Sequence, residues 1–374
     1  MNRTLAFAHD QEQSLFRDSL RKFLQSASPT SRVRQVMAGA DGFDPSLWKR
    51  MAEELALPGM AISERKGGAG FGWVELCIAA EETGHALAPS PFFATSVMAV
   101  AALNTIAPED ALLVRLAMGE VRAALAILEG SAGWMSSGFA SSVDQGRLSG
   151  TKSFVIDGAT AQVFLVIAMD GEGIGLFEVE SSEGLARQSL AVIDPTRRIA
   201  QLSFAGAPVR KIGRVSMSDL ERVLDLCAIA LANEMVGGIS RLFEETLAYT
   251  KLRVQFGRSV ASFQAIKHRM AELLLQVELA RSAAYYAAQA VDAGLEGLSW
   301  TASLAKATVS DAYLFAAQEA IQLHGGIGFT WDHDVQLWFK RAKSSEVLLG
   351  TSAWHRDRMI SALASKELRG GVQS

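Results

Sequence analysis

The chain has 374 residues, enough for two or three domains or for one large unit of several layers. Apolar residues make up 49% of it and charged residues 20%, so it can bury a sizeable core and lacks the composition of a disordered protein. Its 36 basic and 40 acidic side chains leave a formal net charge of −4, which argues against a protein that grips nucleic acid by bulk charge.

Neither a disulfide framework nor a zinc site is expected, because the chain's cysteines, Cys77 and Cys227, lie far apart. Residues 1–24 lack an apolar core and carry carboxylates such as Asp10, so they do not resemble a signal or transit peptide. The longest uninterrupted apolar run, Val163–Met169, is too short to span a bilayer. We therefore expect a cytoplasmic protein without a membrane span.

Residues 1–122 show mainly helical patterns and are expected to form an N-terminal helical domain. Asp44 followed by Pro45 predicts a helix start, because Asp is a favoured N-cap and Pro is favoured in the first turn. The segment Gly67–Gly72 should be a structural loop, since it lacks the spacing and the strand–helix context of a dinucleotide-binding fingerprint. A helical pattern resumes directly after it.

Residues 123–213 have a different texture and are expected to form a middle β domain. Short β-favouring runs recur at intervals of roughly ten residues, which is typical of a small antiparallel barrel or sandwich. Asp144–Arg147 reads as a hairpin turn. The predicted strands are Ala124–Leu128, Gly138–Val143, Ser153–Ile156, Val163–Met169, Gly175–Val179 and Ile199–Phe204.

Residues 214–374 return to long helices and predict a C-terminal four-helix bundle. Ser218–Glu221 has the form of a capping box, which opens a helix running to about Arg253, with Gly257 as its C-terminal stop. Further helices are predicted at about Ser262–Ala293, Ser299–Leu323 and Asp334–Leu349, followed by a last helical piece. The whole is an α+β multi-domain fold.

Two segments of the bundle carry residues suited to binding. The first, Tyr249–Arg258, ends a long helix in a cation, an amide, an aromatic ring and a glycine, a set that can hold an anionic, planar ligand. The second, Gln322–Thr330, leaves a helix through three glycines, where backbone can approach a ligand closely. Taken singly, each also fits an ordinary helix end. No pair of histidines has metal-ligand spacing with a supporting carboxylate, and the pair His333-Asp334, near His324, is expected in a surface or capping role.

Together, in this order and about 70 residues apart, the two segments resemble those of the acyl-CoA dehydrogenase family. Arg253–Gly257 with the later Phe263-Gln264 matches the family's R-x-x-F-G…Q signature, and Gln322–Gly326 matches its Q-x-x-G-G signature. The resemblance covers nearly the whole chain, because the order of helical domain, β domain and bundle is also the family's.

The resemblance implies an FAD-dependent oxidoreductase of lipid or steroid catabolism. Such enzymes remove the α-proton of an acyl-CoA thioester with a carboxylate and pass the β-hydrogen to FAD, which an electron-transfer flavoprotein usually reoxidises. In the family, the flavin ring lies on one subunit and a neighbouring subunit clamps the ADP half. The clamp implied for this chain consists of Arg253, Gln255, Phe256, Phe263, Gln264, Gln322, Gly325 and Gly326.

The segments that hold the flavin ring in the family, called the flavin half here, depart from the family pattern in this chain. The family's T-E-P-x-x-G-S segment is replaced by Ile127–Gly133, and its W-I-T-N-G strand reads Phe154–Gly158. The threonine hydroxyl that would bind the flavin is therefore lost at Ile156, although Phe154 can still pack on the ring. Thr351, retained from the family's Y-E-G-T segment, is also assigned to the cofactor.

The usual catalytic base is missing, because the glutamate of Y-E-G-T is Leu349 here. Some family members carry the base on the long bundle helix, where this chain has Cys227 followed by Ala228 in place of a substrate-facing arginine. Glu346 is a weak candidate base, and Glu244-Glu245 offer further carboxylates.

Three hypotheses follow from this pattern. The first is a subunit of a hetero-oligomer whose homologous partner supplies the base. The second is a homo-oligomeric flavoenzyme with an unusual base such as Glu346, and the third is a non-catalytic, structural family member. Gly328–Asp334 and Lys340–Glu346 resemble bacterial members that work in mixed pairs, several of them on CoA thioesters of steroid side chains or similarly bulky acids.

Overall fold

The computed structural model describes residues 8–130, 133–134, 138–180 and 182–370. The chain forms two compact units. One comprises residues 1–33, 77–88 and 228–374, and the other comprises residues 34–76 and 89–227. The domain limits expected from the sequence, at 122/123 and 213/214, stay predictions.

The first third of the chain is helical, as the sequence predicts. Asp44 is confirmed as an N-cap, because its carboxylate accepts hydrogen bonds from the backbone N–H groups of Ser46 at 2.9 Å and Leu47 at 3.3 Å. A π-helical segment, Phe93–Ala99, leads directly into α5. The α-helices are α1 (Gln11–Ala27), α2 (Thr30–Ala38), α3 (Pro45–Leu55), α4 (Trp73–Ala86), α5 (Val100–Ile106) and α6 (Leu112–Ala117).

Eight strands form one sheet. They are β1 (Ala123–Ala126), β2 (Ser142–Asp144), β3 (Arg147–Ile156), β4 (Val163–Asp170), β5 (Gly173–Val179), β6 (Leu185–Ser189), β7 (Ile199–Pro208) and β8 (Arg210–Arg214). Their order is β6-β7-β3-β2-β4-β5-β8, with β1 paired to β4. Buried side chains that include Phe164, Phe177 and Leu202 form the apolar core of the sheet.

The sheet corrects the sequence prediction in two respects. It is not wholly antiparallel, because β1 and β2 both pair with β4 in parallel. Strands β6 and β8 were not predicted, since their mostly polar, exposed residues lack the apolar alternation that marks a half-buried strand. Both lie at the ends of the strand order, where polar residues are common.

The hairpin turn predicted at Asp144–Arg147 is confirmed. Asp144 pairs with Arg147, and the two residues between them, Gln145 and Gly146, have φ angles of 46° and 74°. Positive φ at both central residues is the signature of a type I′ turn, whose twist matches that of the flanking strands.

The C-terminal helices are α7 (Met217–Leu252), α8 (Gln264–Asp292), α9 (Leu298–His324), α10 (Val335–Val347) and α11 (Ser352–Gly370). The predicted capping box was misplaced by two residues. It is formed by Ser216 and Asp219, whose side chains each accept a hydrogen bond from the other's backbone N–H, at 3.1 and 2.9 Å. Ser218 was chosen from the sequence because it also stands three residues before an acidic side chain.

Helix α9 is the central helix of the bundle, and it packs against α8, α10 and α11. Its buried face is rich in alanine, which allows close packing of neighbouring helices. Helix α7 is the one helix of the described residues that is long and apolar enough to cross a bilayer, and its apolar stretch is entirely buried in the protein. Burial of this kind is usual for the core helix of a bundle.

Candidate functional site

The first binding segment is a hairpin rather than a simple helix end. Helix α7 ends at Leu252, and a short strand, β9 (Val254–Gln255), pairs with β10 (Arg258–Ser259). The turn residues Phe256 and Gly257 have φ angles of 51° and 76°, as in a type I′ turn. The prediction that Gly257 stops the helix was therefore wrong, because its left-handed conformation serves this turn.

The hairpin presents an aromatic and cationic surface. Phe256 is 92% exposed, and its ring lies edge-to-face with that of Phe263 at a centroid distance of 6.2 Å. The guanidinium of Arg258 lies 4.1 Å from the centroid of the Phe263 ring. Arg253 is exposed, and within the described residues its guanidinium has no hydrogen-bond or ion-pair partner. This surface leaves a cation and an aromatic ring available to a ligand.

The amides of this segment make only local contacts. Gln255 Nε2 donates to the carbonyl of Val254 at 2.8 Å, and Gln264 Nε2 donates to His268 Nε2 at 3.0 Å. Both glutamines are exposed. Exchange of such exposed local bonds for bonds to a ligand requires no rearrangement of the core.

The second binding segment ends α9. Gly325 has a φ of 67°, which favours glycine, and it directly follows the last helical residue, His324. A Cβ atom built on Gly325 or Gly326 meets no atom within 4 Å. Packing inside the chain therefore does not explain the lack of a side chain at Gly326, and the exposed backbone here is open to close approach by a ligand. Gln322 is exposed on the last turn of α9.

A ring stack joins the two segments. Tyr249, on the last turns of α7, stacks on His324 with a centroid distance of 4.3 Å and an interplanar angle of 27°. The Tyr249 hydroxyl also donates to the backbone carbonyl of His324 at 3.3 Å. His333 lies 4.5 Å from His324, ring to ring. The predicted surface or capping role fits His333, whose Nδ1 accepts from Val335 N–H at 3.2 Å, but His324 is buried.

Phe154 stands out in the flavin half. It is 51% exposed and has a φ of 53°, at a register shift between β3 and β7. A left-handed backbone costs a residue with a Cβ about 1–2 kcal/mol, so the surrounding strands hold this conformation against its preference. Strain of this sort often accompanies a functional position. The side chain of Ile156 is buried and apolar.

The segment that replaces T-E-P-x-x-G-S has a structural role. Glu129 Oε1 lies 2.5 Å from the buried ammonium of Lys152, and its carboxylate also accepts from the backbone N–H groups of Ala140 and Ser141. Burial lowers the pKa of Lys152 to about 8. Ser131 and Ala132 of this segment lie outside the described residues. Glu129 is thus committed to the β domain's own hydrogen bonds.

The base position lies in the turn between α10 and α11. Leu349 is 2% exposed and has a φ of 58°. Its carbonyl accepts from His355 Nε2 at 3.0 Å, and the carbonyl of Gly350 accepts from Lys306 Nζ at 3.0 Å. Thr351 is exposed, and its hydroxyl accepts from the backbone N–H of Trp354 at 3.3 Å, as a cap of α11. Its assignment to the cofactor stays a prediction.

The alternative carboxylates are engaged in ion pairs. Glu346 lies 3.3 Å from Lys343, and Glu245 lies 2.7 Å from Arg241. Glu244 bonds His85 Nε2 at 2.9 Å and also faces Arg21. These pairs restrict the side chains of the three glutamates.

The alternative position on the long helix carries a cysteine rather than a carboxylate. Cys227 is fully buried, and burial raises the pKa of its thiol, so the thiolate is disfavoured. Ala228 is buried and apolar. Within the described residues, no group of three or more His, Cys, Asp or Glu side chains is placed to hold a metal ion.

The sequence did not predict the Tyr249–His324 stack, nor the hydrogen bonds from Lys306 and His355 to the turn at Leu349 and Gly350. One signal was present for Lys306, which stands in the otherwise small and apolar run Ala302–Val309 and should therefore be buried. Nothing local marks the partners of these residues, because the contacts join distant parts of the chain.

Comparison with known proteins identifies the family. Residues 10–120 match the acyl-CoA dehydrogenase N-terminal domain, and residues 218–364 match the acyl-CoA dehydrogenase C-terminal domain. The chain is 32% identical over 340 residues to acyl-CoA dehydrogenase IpdE2 of Mycolicibacterium smegmatis, covering 91% of this chain and 95% of that protein. It is 33% identical to acyl-CoA dehydrogenase FadE34 of Mycobacterium tuberculosis, covering 96% of this chain and 48% of that protein.

Solved structures agree on the fold. A variant of the Tcur3481–Tcur3483 steroid ACAD matches with a TM-score of 0.87 at 29% identity, covering 96% of this chain and 99% of that chain. The ChsE4–ChsE5 complex of Mycobacterium tuberculosis matches with a TM-score of 0.86 at 24% identity, covering 96% and 99%. The α+β fold, with N-terminal helices, a β-sheet and a C-terminal bundle, is thus confirmed. This chain belongs to the acyl-CoA dehydrogenase family.

Proposed function

We propose that this chain is one subunit of a cytoplasmic, FAD-dependent acyl-CoA dehydrogenase that works with a homologous partner subunit. It clamps the adenine-nucleotide end of a flavin held mainly by the partner, and the partner supplies the catalytic carboxylate. Cys77 and Cys227 are both buried and form no disulfide bond, which fits a reducing compartment.

The observation that carries this proposal is Leu349. Abstraction of an α-proton needs a base within about 3 Å of it, and a leucine has no proton acceptor. Leu349 is also buried, and the turn holds its backbone in a left-handed conformation. The nearby Glu346 is paired with Lys343, one turn away from this position.

The residues of the clamp fit the adenine-nucleotide end of FAD. The unpartnered guanidinium of Arg253 suits a pyrophosphate, or stacks near the adenine, and the open backbone at Gly325 and Gly326 can present N–H groups to phosphate oxygens. Phe256 and Phe263 offer apolar faces to adenosine. Exposed amides complete the set: Gln255, Gln264 and Gln322.

The flavin half fits less well. Phe154 offers an exposed ring for packing, but the family's flavin-binding hydroxyl is replaced by the buried hydrocarbon of Ile156. When bound, FAD supplies the acceptor for the substrate's β-hydrogen. This chain's own part is then to bind and orient the cofactor rather than to move the α-proton.

A subunit partner is supported by the chain's exposed apolar side chains. The hairpin and the end of α7 expose Leu252, Val254 and Phe256 at 81%, 57% and 92%. Helix α8 exposes a stripe of leucines, which consists of Leu274, Leu275 and Leu279. Contiguous exposed apolar surface marks interaction sites. Two of the similar structures carry paired names, Tcur3481–Tcur3483 and ChsE4–ChsE5, which supports a pair of different chains.

The substrate class proposed is an acyl-CoA with a bulky acyl group, such as a steroid acid. The name of one similar structure, a steroid ACAD, supports this choice. An electron-transfer flavoprotein is the proposed acceptor, as the resemblance to the family implies.

Purification separates the three hypotheses. The chain is expressed alone and together with a homologue encoded beside it. In each preparation we measure the bound flavin and its bleaching by acyl-CoA under anaerobic conditions. We expect the chain alone to be colourless and inactive, and the complex to be yellow and active. A yellow homo-oligomer bleached by acyl-CoA would instead support a self-sufficient enzyme. Absence of flavin in every preparation would support a structural subunit.

A further inference from the structure

His324 has an unsatisfied nitrogen beside the nucleotide clamp. The residue is 4% exposed, and its Nδ1 lies 2.7 Å from the carbonyl oxygen of Ala320. A carbonyl only accepts, so Nδ1 carries the proton and Nε2 is the bare nitrogen of a neutral ring. Nε2 is buried and, within the described residues, has no hydrogen-bond partner. A buried acceptor without a donor is destabilising, because it has lost its hydrogen bond to water.

The side chains that face His324 come from two other parts of the chain, α7 and the segment before α10. Tyr249 of α7 stacks on it, and Glu245, one turn earlier on α7, is the acidic group that acts on it. His333, in the segment before α10, is the basic group. Burial lowers the pKa of His324, and so does the charge of His333, whereas the bond to Ala320 and the charge of Glu245 oppose this. The free protein thus holds His324 neutral near physiological pH.

His324 lies next to the glycines at which an anion is proposed to bind. It is the residue directly before Gly325 and Gly326, whose backbone is open and exposed. Arg253 follows the stacked Tyr249 by about one helical turn. A pyrophosphate bound at these glycines therefore brings negative charge next to a buried imidazole, and negative charge raises the pKa of an imidazole.

We propose that His324 is a further binding residue of the clamp, which takes up a proton at Nε2 when a pyrophosphate diester binds at Gly325 and Gly326. The proton comes from the solvent, and the imidazolium offsets part of the ligand's charge. A protonated ring has a second N–H group, which gives the unsatisfied nitrogen a donor role. The inference rests on the proposed function, since it assumes that the glycines receive a nucleotide.

The test uses ADP-ribose, which has the adenosine and the pyrophosphate diester of FAD but no flavin and no phosphate that titrates near neutral pH. Binding to the full chain is measured by titration calorimetry in buffers of different ionisation enthalpy, which gives the protons taken up per ligand bound. We expect uptake of up to about one proton by the wild type. Affinity should tighten on acidification, by at most about tenfold per pH unit.

Three variants identify the residue that takes up the proton. His324→Phe keeps a ring against Tyr249 and removes the titrating nitrogen, so proton uptake should vanish. His333→Phe should keep the uptake. His9→Phe is the matched control, because His9 also contacts a tyrosine ring, that of Tyr285 at 4.5 Å, away from the clamp. His324→Gln, which does not titrate in this range, replaces His324→Phe if the latter does not fold.

The outcomes are distinct. Uptake lost only in the His324 variants supports the inference. Binding of ADP-ribose without proton uptake, or uptake that survives in the His324 variants or is lost in His333→Phe alone, overturns this inference and leaves the clamp in place. If the wild-type chain does not bind ADP-ribose at all, the clamp itself is wrong, and the proposed function falls with the inference.

Discussion

The ammonium of Lys306 on α9 lies 3.0 Å from the carbonyl oxygen of Gly350, in the turn that carries Leu349 at the position of the family's base. It also donates to the carbonyl of Glu346 at 3.3 Å and to Ser310 Oγ at 2.9 Å. His355 holds the carbonyl of Leu349 from the other side. Two buried side chains thus fix a turn whose central residue is in a left-handed conformation.

The burial of Lys306 makes the free energy of unfolding depend on pH. Burial lowers the pKa of Lys306 from 10.5 to about 7. Between these values the unfolded chain holds the proton and the folded chain does not, so this residue makes the free energy of unfolding rise with pH from about 7 to about 10. The rise is several kcal/mol at most, because one pKa unit corresponds to about 1.4 kcal/mol.

Lys306→Met should therefore remove this increase. In urea unfolding across that range, the stability of the wild type relative to the variant should increase as pH rises. Lys343→Met is the control, because Lys343 is partly exposed on α10 and should change stability little at any pH. Parallel curves for wild type and Lys306→Met would contradict the assignment.

Two neighbouring glutamates on α4 should respond in opposite directions to the same substitution. Burial, assisted by the charge of Glu82, raises the pKa of Glu81 to about 7. The folded state then binds more protons than the unfolded state between about pH 4.5 and 7, and stability falls as pH rises through that window. Glu81→Gln removes this penalty and should stabilise the protein above pH 7 by up to about 3 kcal/mol.

Glu82→Gln is the matched comparison for Glu81→Gln. Glu82 is 1% exposed and accepts two hydrogen bonds of 2.8 Å from the guanidinium of Arg21. Loss of its charge should destabilise the protein by about 1–3 kcal/mol. Chemical denaturation at pH 8 measures the change in the free energy of unfolding for each variant. A change in the same direction for both variants would show that one of the two environments is misassigned.

Arg253→Ala should weaken nucleotide binding. A charge-assisted contact to phosphate contributes about 1.5–3 kcal/mol, so the affinity for ADP-ribose should fall roughly ten- to hundredfold, and FAD should be lost from the complex. Lys251→Ala is the control, because Lys251 is an exposed cation on the last turn of the same helix. Equal effects of the two variants would mean that only the net charge of this surface matters.

Leu349→Glu should give the chain a carboxylate at the position where the family carries its base. Because Leu349 is buried, the new carboxyl should have a raised pKa, and any acyl-CoA-dependent flavin reduction should increase with pH up to that value. Leu349→Gln has nearly the same shape and cannot take the proton, so it should stay inactive. Equal rates for the two variants in preparations that contain FAD would exclude this position as a site for the base.

The sequence predicted what local patterns determine. The helix start at Asp44 and the hairpin at Asp144–Arg147 follow from residues next to each other, and so does the order of the clamp signatures. Gly257 was misread because a glycine after a helix serves equally as a stop or as a turn residue. The edge strands β6 and β8 have no apolar alternation and gave no signal.

Contacts between distant residues could not be predicted. Tyr249 and His324 lie 75 positions apart, and Lys306 and Gly350 lie 44 positions apart. The residues around each of these side chains do not indicate which distant residue it contacts. A lysine in an apolar helix does suggest burial. That Leu349 stands where the family has its glutamate was visible only through resemblance to the family, because a leucine by itself indicates no chemistry.

The most direct test is the number of FAD molecules per subunit pair. The chain is purified in complex with its homologous partner, and native mass spectrometry gives the mass of the intact assembly and of each bound cofactor. If this chain lends a nucleotide clamp and lacks a working flavin half, each pair of different chains should carry one FAD, and Arg253→Ala should remove it. Two FAD molecules per pair, or a full complement in a homo-oligomer of this chain alone, would contradict the account.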